Sequence, residues 1–319
     1  MFTTRAYNSF EINKKTKASI IKTSDEDRLF GEMNYYKNLP DELKIYFPRL
    51  LKCKPTPRYS MELEYYAYDN LGNSMISLEY NDQYWDNVFS FLLRYIDSYI
   101  NSKSIKSIPD DSKAMFIDKT ENEYNSLVNN FDFFNKIGEY DEFFLNGKKL
   151  KSFKEIWDKI KHLIIEKINN DSFYFIHGDL CFSNILCGIN PITKDIILKM
   201  IDPRGVFGNT NFFGDPYYDL AKISHSCSGG YEFFIYDRFQ INTYDNNFDL
   251  KFIDNVNMEK INNKFIKIVD EYKFDYEKIK LLEGCIFIGM CARHYDSLDR
   301  QKAMFITGLN ILNDIYEKI

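Results

Sequence analysis

The reading turns on Phe173–Gly205, FYFIHGDLCFSNILCGINPITKDIILKMIDPRG. An apolar run, Phe173–Ile176, ends at His177-Gly178-Asp179. Asn184 follows as the close of a D-x-x-x-x-N pattern, and a second apolar run, Ile196–Ile201, delivers Asp202. Short apolar runs closed at once by polar residues read as buried strands. Two such segments bracketing a loop would set Asp179, Asn184 and Asp202 at one edge. Taken singly, each residue has an ordinary structural explanation: Asp-Pro at 202–203 and 215–216 as turns, Asn184 as a helix cap. Together, their spacings point to chemistry.

Phosphoryl transfer from a nucleotide asks for residues of these types. One carboxylate accepts or orients the proton of the attacking hydroxyl, while an amide oxygen and a second carboxylate hold Mg²⁺ against the phosphates. Mg²⁺ takes oxygen ligands and keeps several waters, so one Asn and one Asp suffice when the nucleotide supplies the rest.

Outward from this stretch, the first 80 residues differ from the remainder. Lys17–Thr23 is β-like. The charged Ser24–Arg28 reads as a helix start with Ser24 as N-cap, and the helix would carry Leu29, Phe30, Met33 and Tyr36 and end near Pro40. Pro48–Pro57 reads as extended, Tyr59–Tyr68 as a strand, and Asp69–Asn73 as a turn. Helical periodicity dominates from about residue 81: Trp85 to Ile100, Phe153 to Ile168, Tyr276 to Tyr295 and Ala303 to Tyr316. The expected division is 1–80, with a hinge near 69–81, and 81–319.

The chain of 319 residues is 45% hydrophobic, 28% charged and 17% aromatic, with a net charge of −6. That balance belongs to a globular protein. The acidic balance gives no attraction to nucleic acid or anionic lipid, and neither is expected as a partner. The six cysteines form no C-x-x-C pair and read as reduced thiols. No signal-like or membrane-spanning apolar stretch is present, because a span takes about 20 residues. A cytoplasmic location is expected.

HGDLCFSNIL followed by IDPRG resembles the catalytic and metal-binding loops of the aminoglycoside phosphotransferase and choline kinase-like group of small-molecule kinases. Gly178, where protein kinases carry Arg, is similar to the small-molecule branch, as are Gly214-Asp215-Pro216 and Asp219-Leu220-Ala221. The resemblance covers Phe173–Ala221 and implies an α+β, bilobal protein-kinase-like fold, with a small antiparallel-sheet N-lobe and a larger, mostly helical C-lobe. It implies Asp179 as catalytic base, Asn184 and Asp202 as Mg²⁺ ligands, and His177 and Asp219 as structural supports of the loop. ATP or GTP would be the donor.

The N-lobe of such a fold supplies a lysine for the α/β-phosphates and an acid that orients it. Lys22 and Glu32 stand in that order, with Glu26 as the competing acid. No G-x-G-x-x-G precedes Lys22; Ser9–Lys14 occupies its place. Met61–Tyr68 would meet adenine through backbone groups. The acceptor would be a small-molecule alcohol: a sugar, polyol, amino alcohol or aminoglycoside, in a setting such as bacterial surface-polysaccharide metabolism. The acidic balance suits a cationic acceptor. Arg204, Arg293 and Arg300 suit a carboxylate or phosphate equally, with Arg204 and Arg293 as the named candidates for acceptor or phosphate contact. The Asp-Pro-Arg-Gly form departs from the usual choline-kinase continuation. Two other readings stay open: a non-catalytic nucleotide-binding scaffold, and a metal-dependent phosphoesterase using His177, Asp179, Asp202, His225 and His294.

Overall fold

A computed structural model describes residues 8–13, 18–56, 58–77, 80–168, 172–193, 195–255 and 258–319. Lys14, Lys17 and residues 78–79 of the expected hinge lie outside the described residues. The N-terminal strands β1 (Asn8–Ile12), β2 (Ser19–Ser24), β3 (Leu50–Lys54) and β4 (Tyr59–Glu64) form an antiparallel sheet in the order β1-β2-β4-β3. Helix α1 (Asp27–Lys37) connects β2 to β3 and buries Leu29, Met33, Tyr35 and Tyr36.

The helix does not start at Ser24. Ser24 pairs with Tyr59 in the β2–β4 ladder, which holds it extended, and Glu26 takes the N-cap position without a side-chain bond. The Ser24 hydroxyl instead accepts from the Glu26 N–H at 3.2 Å.

A second difference falls at Asp69–Asn73. Strand β5 (Asp69–Asn70) is followed by helix α2 (Leu71–Ile76), capped by the Asn70 side chain accepting from the Asn73 N–H. Burial of Leu71 and Met75 overrides the turn preference of the sequence.

Helix α3 (Asp82–Ile100) buries Trp85, Val88, Phe89, Leu92, Ile96 and Tyr99, the face that the sequence spacing predicts. Each such burial stabilises by about 1.5–3 kcal/mol. Strand β6 (Ser104–Lys106) and helix α4 (Pro109–Lys113) lead through a π-helical turn, Ala114–Asp118, into α5 (Lys119–Asn130) and α6 (Asp132–Ile137). The hairpin β7 (Glu142–Leu145) and β8 (Lys148–Lys151) precedes α7 (Phe153–Lys167). Next come β9 (Ser172–Phe175), β10 (Ile185–Ile189), β11 (Ile196–Met200) and β12 (Phe213–Gly214). The chain closes with α8 (Pro216–Cys227), α9 (Tyr231–Ile235), the hairpin β13 (Phe239–Tyr244) and β14 (Asn247–Phe252), α10 (Met258–Glu271), α11 (Tyr276–Ile288) and α12 (Leu298–Tyr316). Helix α11 is shorter than its apolar pattern: it stops at Ile288, and a separate turn, Cys291–His294, carries Arg293.

The larger lobe holds more sheet than expected. β13-β14-β7-β8 is a four-stranded sheet within it. The two apolar runs of the motif also lie in different sheets, β9 with β12 and β6, and β11 with β10 and β5. The loop is therefore followed by a β10–β11 hairpin rather than bracketed by one strand pair. The fold is α+β, with a small antiparallel lobe and a larger, mainly helical one. All six cysteines are free, and among the described residues no helix is long and apolar enough to cross a membrane.

Candidate active site

Strand β2 carries Lys22 into the interior, where its Nζ lies 2.5 Å from Glu32 Oε2 on α1 and 2.8 Å from Asp202 Oδ1. Lys22 and Glu32 are almost fully buried, while 44% of the Asp202 side chain is exposed. Burial works against the Lys22 charge, but Glu32 and then Asp202 outweigh it and raise its pKa. Burial pushes Asp202 upward too, yet Lys22 leaves its carboxyl below the usual carboxylate range. Glu32, not Glu26, is the partner of Lys22.

Asp202 holds a left-handed backbone, φ +56, unusual for a residue with a side chain. Two residues on, Arg204 N–H donates to the His177 carbonyl at 2.8 Å and joins the two loops. Gly178 (φ +78) and Gly205 (φ +75) serve this junction. A Cβ on Gly178 would meet Arg204 Cβ at 2.9 Å, and one on Gly205 would meet the Gly31 carbonyl of α1 at 2.4 Å.

The loop bearing Asp179 is held from behind. Asp219, near the start of α8 and fully buried, accepts from the His177 and Gly178 N–H groups, each at 2.7 Å. Burial pushes its carboxyl up to about 7, and those two bonds oppose the rise. His177 Nδ1 accepts from the Asp179 N–H at 3.2 Å, so the neutral ring donates from Nε2 to the Ile201 carbonyl at 2.9 Å. Burial lowers its pKa to about 4. Asn184 Nδ2 donates to the Asp179 carbonyl at 2.8 Å, which leaves Oδ1 for another partner. Glu232 of α9 accepts from Ser226 Oγ at 2.8 Å and from Ser183 N–H at 3.3 Å.

Sequence reasoning missed Lys222. It is buried on α8 with its Nζ 2.9 Å from Asp179 Oδ1. The signal was available: Lys222 stands three residues after Asp219, and helical residues at that spacing share a face. Tyr218 and Lys119 were also missed. Lys119 Nζ donates to Tyr218 Oη at 3.2 Å and Arg204 Nη1 does so at 3.4 Å. Burial would raise the phenol, but Lys119, Arg204 and Lys222 bring it down to about 7.

Arg204 and Arg293 line two adjoining cavities of about 390 and 330 Å³. Arg293 is already engaged by Glu123, with its Nε at 2.8 Å. Arg300 is paired with Asp237 and Asp296 and lines neither cavity.

No protein-family model matches the sequence, and no curated protein matches it. Solved structures do. Aminoglycoside phosphotransferase APH(4)-Ia superposes with a TM-score of 0.58 at 10% identity, over 99% of this chain and 92% of that one. This chain has the fold of the aminoglycoside phosphotransferases. A thermostable mutant of the same protein, in ternary complex with AMP-PNP and hygromycin B, gives the same TM-score and coverage. The streptomycin–ATP–APH(2")-IIa ternary complex gives 0.50 at 14% identity, over 97% and 88% of the two chains.

Among the described residues, no three His, Cys, Asp or Glu side chains cluster as metal ligands. His225, needed by the phosphoesterase reading, is fully buried and packed against Tyr231 and Phe287.

Proposed function

We propose that this chain transfers the γ-phosphoryl group of ATP or GTP to a hydroxyl of a small molecule. The observation that carries the reading is the Lys22–Glu32–Asp202 ion-pair system, beside a loop that presents Asp179 and Asn184. In phosphoryl transfer the protein chiefly positions the reactants and stabilises charge. Lys22, fixed by Glu32, would bind the α/β-phosphates. Asp179 would accept the proton of the attacking hydroxyl, and Lys222 would hold that carboxylate in place. His177 and Asp219 would act by positioning the loop.

Magnesium fits the donors on offer. Asn184 Oδ1 and the Asp202 carboxylate are hard oxygens, and the Asn184 amide nitrogen is already anchored to the Asp179 carbonyl. When bound there, the ion would neutralise charge on the β- and γ-phosphates.

The neighbours named above bind nucleotides together with aminoglycosides, which supports a nucleotide donor and a small polyhydroxylated acceptor here. A sugar, polyol, amino alcohol or aminoglycoside, handled in the cytoplasm and in surface-polysaccharide metabolism, is the finer form of the proposal. The division at 1–80 and 81–319, with a hinge across 69–81, belongs to it as well.

The test is calorimetric binding of AMP-PNP with and without Mg²⁺, combined with phosphate transfer from ATP and GTP to a panel of such alcohols. Mg²⁺-dependent binding and transfer that disappears in Asp179→Asn are expected. Binding without transfer to any alcohol would favour a non-catalytic scaffold. Absence of both would overturn the proposal.

A further inference from the structure

Lys119, Arg204 and Tyr218 form a cluster that the catalytic reading does not use. Lys119 and Arg204 each donate to the Tyr218 oxygen, and among the described residues neither cation has a carboxylate partner. Their common partner is a nearly fully buried phenol. Both neighbours of that phenol are donors only, so its own O–H finds no acceptor in either of them. Two cations thus converge on a single shared oxygen, and together they draw that phenol toward ionisation.

The two acids of the adjoining cavity are each paired with another cation. Glu123 binds Arg293 and Asp118 binds Lys113. Lys119 and Arg204 both line the 390 Å³ cavity, with Arg293, Asn122 and the carboxylates Asp118 and Glu123. The cavity lies beside the reacting centre, because Arg204 packs against Gly178, the residue before Asp179. Burial lowers the Lys119 pKa to about 8; Tyr218 opposes the fall, while Arg204, Arg293 and Lys222 add to it.

We propose that the acceptor alcohol carries an oxyanion group, a phosphate or a carboxylate, seated against Lys119 and Arg204. The proposal rests on the phosphotransferase reading and names its acceptor class. An oxyanion supplies several acceptor lone pairs, and guanidinium offers it a planar fork. A cationic acceptor would meet like charge from both sides.

The experiment uses the full chain saturated with AMP-PNP and Mg²⁺, so that the donor phosphate sites are filled. Inorganic phosphate, malonate, glycerol and choline are titrated separately and followed by backbone amide NMR. Phosphate or malonate should bind saturably, and which binds more tightly distinguishes a phosphate-bearing from a carboxylate-bearing acceptor. Lys119→Met and Arg204→Gln should each weaken that binding by about tenfold, the scale of a charge-assisted hydrogen bond. AMP-PNP affinity, unchanged in Lys119→Met, serves as the control for folding. No saturable anion response, equal anion affinity in both variants, or tighter binding of choline would overturn the proposal while leaving the phosphotransferase reading standing. Failure of the wild type to bind AMP-PNP would overturn that reading, and the acceptor role with it.

Discussion

Lys22 and Asp202 lie 180 residues apart in sequence and meet at 2.8 Å, with Glu32 closing the group at 2.5 Å from the same ammonium. The contact ties the N-terminal sheet to the loop after β11. Removing one partner of a buried pair strands the other charge. Lys22→Met should destabilise the fold by about 3 kcal/mol in urea unfolding, and adding Glu32→Gln should recover much of that loss. A double variant no more stable than Lys22→Met would show that Glu32 does not depend on this lysine.

Asp179→Asn separates chemistry from binding. In the proposed reaction its carboxylate acts on the acceptor hydroxyl, so transfer should fall by about 10²–10⁴-fold, the range of a lost general base. AMP-PNP affinity should stay within a factor of about two or three, because no donor-side contact depends on this carboxylate. Wild-type turnover in the variant, with an acceptor in hand, would remove Asp179 from that role.

The proposed metal ligands should differ in weight. Asp202 would bring an anionic oxygen and Asn184 a neutral one, so Asp202→Ala should lower Mg²⁺-dependent nucleotide affinity more than Asn184→Ala. Titrating AMP-PNP at several Mg²⁺ concentrations measures both. Equal nucleotide affinity with and without Mg²⁺ in the wild type would contradict this assignment.

His177 predicts a pH effect. Its folded pKa of about 4 lies below the ordinary 6.5, because burial and its Nδ1 acceptor role favour the neutral ring. A depressed folded pKa contributes stability that is fully present above pH 6.5 and lost as pH falls through 4. The shift corresponds to about 3 kcal/mol. Asp219, Glu32 and Glu232 are raised and act with the opposite sign in the same window. The readout is therefore the stability difference between wild type and His177→Gln. That difference should shrink from pH 7 to pH 4, and a constant difference would refute the account.

Much of the candidate site was legible because its parts are local. His177, Asp179, Asn184 and Asp202 sit on one short strand–loop–hairpin, where spacing nearly dictates position. Lys22 and Glu32 follow from a strand and the helix after it. Asp219 was legible from its motif, and its bonds to two consecutive backbone N–H groups give that position a physical purpose. Ser24 and Asp69–Asn73 were misread because strand pairing and burial overrode local preferences.

By itself, the sequence determined which carboxylates, amide and lysine are available and in what order along the chain, since strand and helix periods act over a few residues. Only the tertiary structure decided what surrounds them. Lys222 reaches Asp179 from another element, Lys119 and Arg204 converge on Tyr218 from separate segments, and Gly205 lets α1 approach the Asp202 loop. Such contacts depend on how whole elements pack, and packing is set by the summed burial of side chains far apart in the chain, which no local pattern encodes.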